Sequence, residues 1–128
     1  MSLLPSQAAA AEFVSPAAIA ELRRLDDGGP PLIFLELVQL FTDSTPQLLS
    51  QACAAVGDPL QLALIAHSLK GSCSNFGAHK MEQLCAELEQ LGRAKTTEGA
   101  QELIHAIERQ YYGVRAALLE IGRTCRGM

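Results

Sequence analysis

Apolar residues recur along most of this chain at intervals of three and four positions, the spacing of one face of an α-helix. The pattern is clearest over residues 78–94, where the stripe consists of Met81, Leu84, Cys85, Leu88 and Leu91. No segment shows the alternation of β-branched and polar residues that is typical of a strand. The pattern therefore predicts an all-α protein.

Helix-capping residues divide this pattern into segments. Ser15-Pro16 combines a good N-cap with proline at the first helical position and predicts a short helix to about Leu25. Asp58-Pro59 repeats this signal and predicts a helix over residues 59–76. A further helix is expected over 78–94, and a last one begins near Thr96.

Pro46 interrupts the second segment, which begins after Pro30-Pro31 and extends to about Val56. An interior proline removes a backbone hydrogen bond and costs ~3 kcal/mol or more. The helix either breaks between Thr42 and Thr45 or continues through a kink. We expect one long kinked helix.

The predicted elements are one short helix and four longer ones joined by short loops. Short connections place consecutive helices antiparallel, so the predicted fold is an up-down-up-down antiparallel four-helix bundle with a short extra N-terminal helix. Residues 1–12 are expected to form a poorly ordered tail, and residues 13–128 a single domain.

Charge and hydropathy exclude several classes of protein. The 128 residues include 10 Lys and Arg against 14 Asp and Glu, a net charge of −4, which argues against nucleic-acid binding. The longest nearly apolar run, from Leu32 to Phe41, is far shorter than the ~20 residues of a membrane span. No basic residue precedes the first apolar stretch, so we expect no secretion signal and a cytoplasmic protein.

The four cysteines do not predict a metal site, because none of them forms a close pair. Structural zinc ligands come in such pairs, and Cys73, His79 and Cys85 are only a remote approximation to a ligand set. We expect free thiols in a reducing compartment and no bound metal. The cysteines stand at Cys53, Cys73, Cys85 and Cys125.

One histidine of the third helix stands apart from its core-facing stripe. The stripe consists of Leu62, Ile65, Ala66, Leu69, Cys73 and Phe76. His67 lies ~100° around the helix from Ala66, at the edge of this stripe or beyond it. Lys70 and Gly71 follow at the positions that share its face.

Gly71 is unusual because a glycine inside a helix costs about 0.5–1 kcal/mol relative to alanine. A helix surface without a side chain lets another molecule approach closely, one turn from His67. An imidazole with an ordinary pKa of ~6.5 is largely neutral and nucleophilic at cellular pH. The Lys70 ammonium would favour a negatively charged product such as a phosphorylated ring.

A lone histidine on a helix is most often a surface residue without a role, and we assign His79 and His105 to that class. The combination of His67, Lys70 and Gly71 instead favours a functional site.

The stretch from Ala66 to Leu91 closely resembles the histidine-containing phosphotransfer domain. The family motif H-x-L-K-G-S begins at His67, is followed by G-A at Gly77, and ends in L-C-x-x-L-E from Leu84. Similarity is good over residues 31–91 and loose over 98–125, and Cys73 stands where serine or alanine is more usual.

The resemblance implies a phosphorelay intermediate. His67 would accept a phosphoryl group from the aspartate of one receiver domain and pass it to another, with a hybrid sensor histidine kinase upstream. Lys70 would orient or neutralise the phosphoryl group, and Gly71 would let the receiver approach. Glu89 matches a polar position that flanks the histidine from the neighbouring helix.

The same resemblance implies what the partner supplies. No acidic cluster fit for a metal and no nucleotide-binding loop is visible, so we expect Mg²⁺ to come from the receiver, and we expect no intrinsic cofactor and no autokinase activity. Leu64 and Ser74 are the candidate docking residues, together with parts of the second helix, because an exposed apolar patch commonly marks a partner site. The domain is expected to act as a monomer.

Two other functions remain open. A histidine-kinase dimerisation domain also carries its histidine on a helix, but an acidic residue follows it there, whereas Ser68 follows His67. A non-catalytic helical adaptor would keep the bundle without the chemistry.

Overall fold

The computed structural model describes residues 10–126, within which the chain is helical and contains no strand. None of its helices is long and apolar enough to cross a membrane. The helices are α1 (Pro16–Arg23), continued by a 3-10 turn (Arg24–Asp26), α2 (Leu32–Ala54), α3 (Pro59–Ser74), α4 (His79–Arg93) and α5 (Ala100–Arg126). Each predicted helix is present, with ends within a few residues of those expected.

The four long helices form a closed ring in which α2 contacts α3, α3 contacts α4, α4 contacts α5 and α5 contacts α2. The α3–α4 pairing is the most extensive of these contacts. Side chains from all four helices fill the centre, and the largest fully buried ones include Phe34, Leu62, Leu69, Met81, Leu88, Ile104, Ile107 and Leu118. This arrangement confirms the predicted four-helix bundle.

The starts of α1 and α3 are fixed by the capping residues that the sequence indicated. The Ser15 hydroxyl accepts a hydrogen bond from the Ala18 backbone nitrogen at 3.2 Å. The Asp58 carboxylate accepts one from the Gln61 nitrogen at 3.3 Å. Such a cap contributes ~1 kcal/mol and defines the residue at which the helix begins. The cap at Asp58 therefore sets the register of the helix that carries His67.

The start of α2 is capped by a residue from the preceding turn. Pro31 stands at the N-cap position and offers no side-chain acceptor. The buried Asp26 carboxylate instead accepts hydrogen bonds from the backbone nitrogens of Ile33 at 2.7 Å and Phe34 at 3.4 Å. It also pairs with Arg23 at 3.1 Å. One carboxylate thus joins the end of α1 to the start of α2.

Helix α2 continues through Pro46 without a break, so the alternative of two separate helices is wrong. Proline has no N–H, and the Thr42 carbonyl four residues earlier consequently loses its helical donor. The Tyr111 hydroxyl of α5 donates a hydrogen bond to that carbonyl at 3.3 Å. Burial raises the pKa of Tyr111, which keeps the hydroxyl protonated and able to donate.

The tail expected over residues 1–12 lies mostly outside the described residues, but residues 10–13 are helical and Ala10 is buried. A Cβ atom at Gly113 of α5 would overlap the Phe13 ring, so this glycine makes room for Phe13. The Ser15 nitrogen also donates a hydrogen bond to the Phe76 carbonyl at 3.1 Å. These contacts hold the segment before α1 against the bundle.

The compensation at Pro46 predicts an energetic coupling between α2 and α5. Tyr111→Phe should lower the free energy of unfolding by about 0.5–1.5 kcal/mol, because the Thr42 carbonyl loses its donor. In a Pro46→Ala background the cost should be smaller, since the introduced alanine supplies a backbone N–H to the same carbonyl. Urea unfolding of the four proteins measures this coupling. Tyr112→Phe, at an exposed tyrosine, is the control, and equal costs in both backgrounds would contradict the assignment.

Candidate functional site

His67 stands on the outer face of α3, in the middle of the helix. Ala66 and Leu69, one residue before and two residues after it, are fully buried. Since successive helix positions differ by ~100°, this packing turns position 67 outward. The His67 side chain is 67% exposed. A rigid helix therefore presents the imidazole to solvent.

The helix surface next to His67 is bare. Gly71 is exposed, and a Cβ atom built on it would meet no heavy atom within 4 Å. Its backbone has ordinary helical geometry, so neither a turn nor a close internal contact explains the glycine. The open space predicted one turn from His67 is present.

Glu89 of α4 lies behind the imidazole and is buried, with a side chain that is 6% exposed. Its Oε2 atom is 2.9 Å from Nδ1 of His67 and 2.7 Å from a guanidinium nitrogen of Arg93. Its Oε1 atom accepts a hydrogen bond from Nζ of Lys70 at 2.6 Å. The structure thus brings together three residues that the sequence singled out, His67, Lys70 and Glu89.

The protonation state of Glu89 decides which histidine nitrogen is free. The hydrogen bond from Lys70 lowers the pKa of Glu89; burial opposes this effect, and His67 and Arg93 reinforce it. An ionised carboxylate is an acceptor only, so Nδ1 of His67 must be the donor in their hydrogen bond. When the ring is neutral, the lone pair is then on Nε2, the nitrogen that does not face Glu89.

The cluster carries one excess positive charge, because a single carboxylate faces the two cations Lys70 and Arg93. Arg93 is exposed and was not among the residues singled out from the sequence. Its signal was available: Arg93 follows Glu89 at the i+4 position of a helix, the favourable order for an ion pair. The burial of Glu89, which makes this pair important, was not visible in the sequence.

The two candidate docking residues lie on the same face of α3, on opposite sides of His67. Leu64 is 58% exposed one turn before it, and Leu60, which sequence reasoning missed, is 71% exposed a further turn away. Ser74 is exposed two turns after it, and its single hydroxyl proton has two acceptors in reach, the Glu82 carboxylate at 3.0 Å and the Lys70 carbonyl at 3.2 Å. An apolar stripe thus leads to His67 from one side only.

The remaining candidate ligands do not assemble into a second site. Within residues 10–126, no group of three or more His, Cys, Asp or Glu side chains could hold a metal ion. Cys73 and Cys85 are buried as free thiols, and the neighbouring Cys85 together with burial raises the pKa of Cys73. His79 and His105 are exposed outside the cluster.

Comparison with protein families finds that residues 36–117 match the model of the Hpt domain. Among curated proteins, the chain is 28% identical over 106 residues to histidine-containing phosphotransfer protein 2 of Arabidopsis thaliana, covering 79% of this chain and 68% of that protein. It is 26% identical over 94 residues to histidine-containing phosphotransfer protein 2 of rice, covering 70% of this chain and 63% of that one.

Solved structures share the fold. Histidine-containing phosphotransfer protein B of Pseudomonas aeruginosa is similar with a TM-score of 0.79 and 27% identity, over 88% of this chain and 96% of that chain. A histidine-containing phosphotransfer protein from maize is similar with a TM-score of 0.78 and 24% identity, over 91% of this chain and 88% of that one. At 24% identity, the similarity to the maize protein shows a shared fold only.

The lowered pKa of Glu89 predicts how its contribution to stability depends on pH. At pH 7, Glu89→Gln should lower the free energy of unfolding by about 1.5–3 kcal/mol, since hydrogen bonds to a charged group are lost. A carboxyl group with a lowered folded-state pKa stabilises the protein fully above its unfolded pKa of ~4.3 and loses this contribution as pH falls through the folded value. The difference between variant and wild type should therefore shrink below about pH 4.

Urea unfolding between pH 7 and pH 3 measures this difference. Glu87→Gln, at an exposed position of the same helix, is the matched control and should cost little at any pH. A Glu89→Gln cost that stays constant down to pH 3 would show that the charge of Glu89 is not what stabilises the cluster.

Proposed function

The chain belongs to the Hpt domain family, whose members are phosphorelay intermediates, and we propose that His67 is the residue that carries the phosphoryl group. The observation that supports this proposal is the combination of an exposed imidazole with a buried carboxylate bound to its inner nitrogen. Burying an ionised carboxylate is costly, and a surface histidine without a function has no need of such a partner. This geometry is suited to a nucleophile of fixed orientation.

The proposed reaction is an in-line displacement at phosphorus. The lone pair of His67 Nε2 forms the new N–P bond while the bond between phosphorus and the receiver's aspartate oxygen breaks, and the aspartate leaves as a carboxylate. The ring gains positive charge, and its proton stays on Nδ1. Glu89 stabilises that charge through the existing hydrogen bond. Transfer to a second receiver is the same step in reverse.

The surrounding charges favour the phosphorylated state. A phosphoryl group brings about two negative charges at neutral pH, and the cluster already holds one excess positive charge. We assign to Lys70 and Arg93 the partial neutralisation of that group. Phosphoryl transfer depends mainly on positioning and on such neutralisation, which this cluster combines.

Hpt domains work with receiver domains and histidine kinases in two-component relays. We assign receiver docking to the α3 face formed by Leu60, Leu64, Gly71 and Ser74, because exposed apolar residues adjoin the imidazole there. In this proposal the receiver supplies the Mg²⁺ and the acidic pocket that binds the ion. A hybrid sensor kinase stands upstream of the relay. The domain itself acts as a monomer and has no autokinase activity.

The fold also bears on the alternative of a histidine-kinase dimerisation domain. A two-helix hairpin must pair with a second copy to close its core, whereas α2 to α5 close one within a single chain. The alternative of a non-catalytic adaptor keeps the same fold, so only the reactivity of His67 separates it from a carrier.

His67→Gln should abolish labelling of this protein by a radiolabelled phosphorylated receiver while leaving its thermal unfolding nearly unchanged. The substituted side chain is exposed, glutamine still offers an N–H donor, and Glu89 keeps its hydrogen bonds to Lys70 and Arg93, so the change in stability should be small. The matched control is His105→Gln on α5, which should be labelled like wild type. Labelling of the His67→Gln protein at the wild-type level would refute the assignment. If no receiver of the source organism labels the wild-type protein, the non-catalytic adaptor is favoured instead.

Gly71→Gln should slow labelling by the receiver about tenfold or more, a barrier change of ~1.4 kcal/mol, because a long side chain fills the approach to His67. The same variant should react normally with potassium phosphoramidate, a small phosphoryl donor that needs no docking surface. Gly57→Gln, at another glycine with open surroundings, is the control. Equal slowing with both donors would mean that Gly71 affects the imidazole and not the approach.

A further inference from the structure

At Gly92, the backbone of helix α4 lies directly against the backbone of α3. A Cβ atom at this position would overlap the Pro59 carbonyl oxygen and would lie 2.8 Å from the Ala63 nitrogen and 3.0 Å from the Ala63 Cβ. Two of these three neighbours are backbone atoms in the first two turns of α3, which cannot swing aside as a flexible side chain could. The helices reach this separation only because residue 92 has no side chain.

This contact lies one turn from the functional pair. Gly92 follows Glu89 by three residues on α4, and Ala63 precedes His67 by four residues on the antiparallel α3. We propose that Gly92 is a positioning residue, which sets the helix separation at which the Glu89 carboxylate reaches Nδ1 of His67. The inference rests on the proposed role of His67 as the phosphoryl acceptor.

The geometry of the helix pair shows how strongly a change at Gly92 would act. The turn over residues 75–78 joins the two helices at the other end, so an opening forced at Gly92 would turn about it. With a rise of ~1.5 Å per residue, Glu89 lies ~15 Å and Gly92 ~20 Å from that turn, so about three-quarters of any opening reaches the pair. An opening of ~1 Å would lengthen the 2.9 Å contact between Glu89 and His67 beyond hydrogen-bond range.

The partners of Glu89 would not be affected equally. Arg93 is on α4 with Glu89, so their ion pair moves as a unit and is kept. His67 and Lys70 are on α3, so both move away from the carboxylate. A wider helix spacing therefore releases the imidazole from its fixed tautomer while the carboxylate keeps one cation. That selective loss distinguishes a positioning role from a general loss of stability.

The test compares Gly92→Ala with wild type in the full chain, using ¹⁵N NMR of the His67 ring and the rate of labelling by potassium phosphoramidate. The ring shifts of wild type should show a proton on Nδ1, and Gly92→Ala should lose this preference. Labelling of His67 should slow roughly fivefold to tenfold, the factor that corresponds to one hydrogen bond. Gly57→Ala makes the same chemical change where nothing lies within 4 Å and should match wild type in both measurements.

Ala63→Ser crowds the same contact from the other helix by a single oxygen atom and should shift both measurements in the same direction. If Gly92→Ala does not fold, the ring shifts and labelling rate of Ala63→Ser test the positioning role instead. A folded Gly92→Ala protein, or Ala63→Ser in its place, with wild-type ring shifts and labelling rate would overturn the inference. If wild type itself is not labelled at His67, the proposed function fails instead, while the ring shifts still report on the spacing.

Discussion

The burial of one carboxylate between two helices organises the functional face of this protein. Glu89 is removed from water, and an isolated ionised carboxylate in that position would be strongly destabilising. Lys70, Arg93 and His67 supply the compensating hydrogen bonds. The same requirement fixes the tautomer of the histidine and leaves a positive excess beside it. Stability and reactivity therefore depend on one set of contacts, although the reacting ring itself is exposed.

Two glycines shape the surroundings of this cluster, one by leaving space outside the bundle and the other by allowing close contact inside it. Gly71 leaves open space on the outside of α3, where a partner must come close to His67. Gly92 leaves no space at all on the inside, where α4 rests against the backbone of α3. Both give up helix propensity relative to alanine, by about 0.5–1 kcal/mol at the interior position of Gly71 and by less at Gly92, near the end of its helix. The cost is tolerated because helix stability in a bundle comes mainly from packing of the apolar face.

Elsewhere the bundle tolerates local defects because distant residues compensate for them. The carbonyl that Pro46 leaves without a donor is satisfied from α5 by Tyr111. The start of α2, where Pro31 offers no side-chain cap, is capped from the preceding turn by Asp26. In each case the proline that leaves a helix position without its usual hydrogen bond is visible in the sequence. The compensating partner is not: Asp26 is 7 residues from Ile33, whose N–H donates to it, and Tyr111 is 69 residues from Thr42, to whose carbonyl it donates. The residues around Pro46 are therefore compatible with either a break or a continuous α2.

What the sequence determined by itself was local. Helical spacing, the caps at Ser15 and Asp58 and the outward direction of His67 all depend on residues within one or two turns of each other, and they agree with the structure. Only the tertiary structure decided that Glu89 is buried, that Arg93 joins it, that Gly92 touches α3 and that residues 10–13 are helical and lie against the bundle. These features depend on the distance between helices, which follows from how their side chains interlock and not from the period of any one helix.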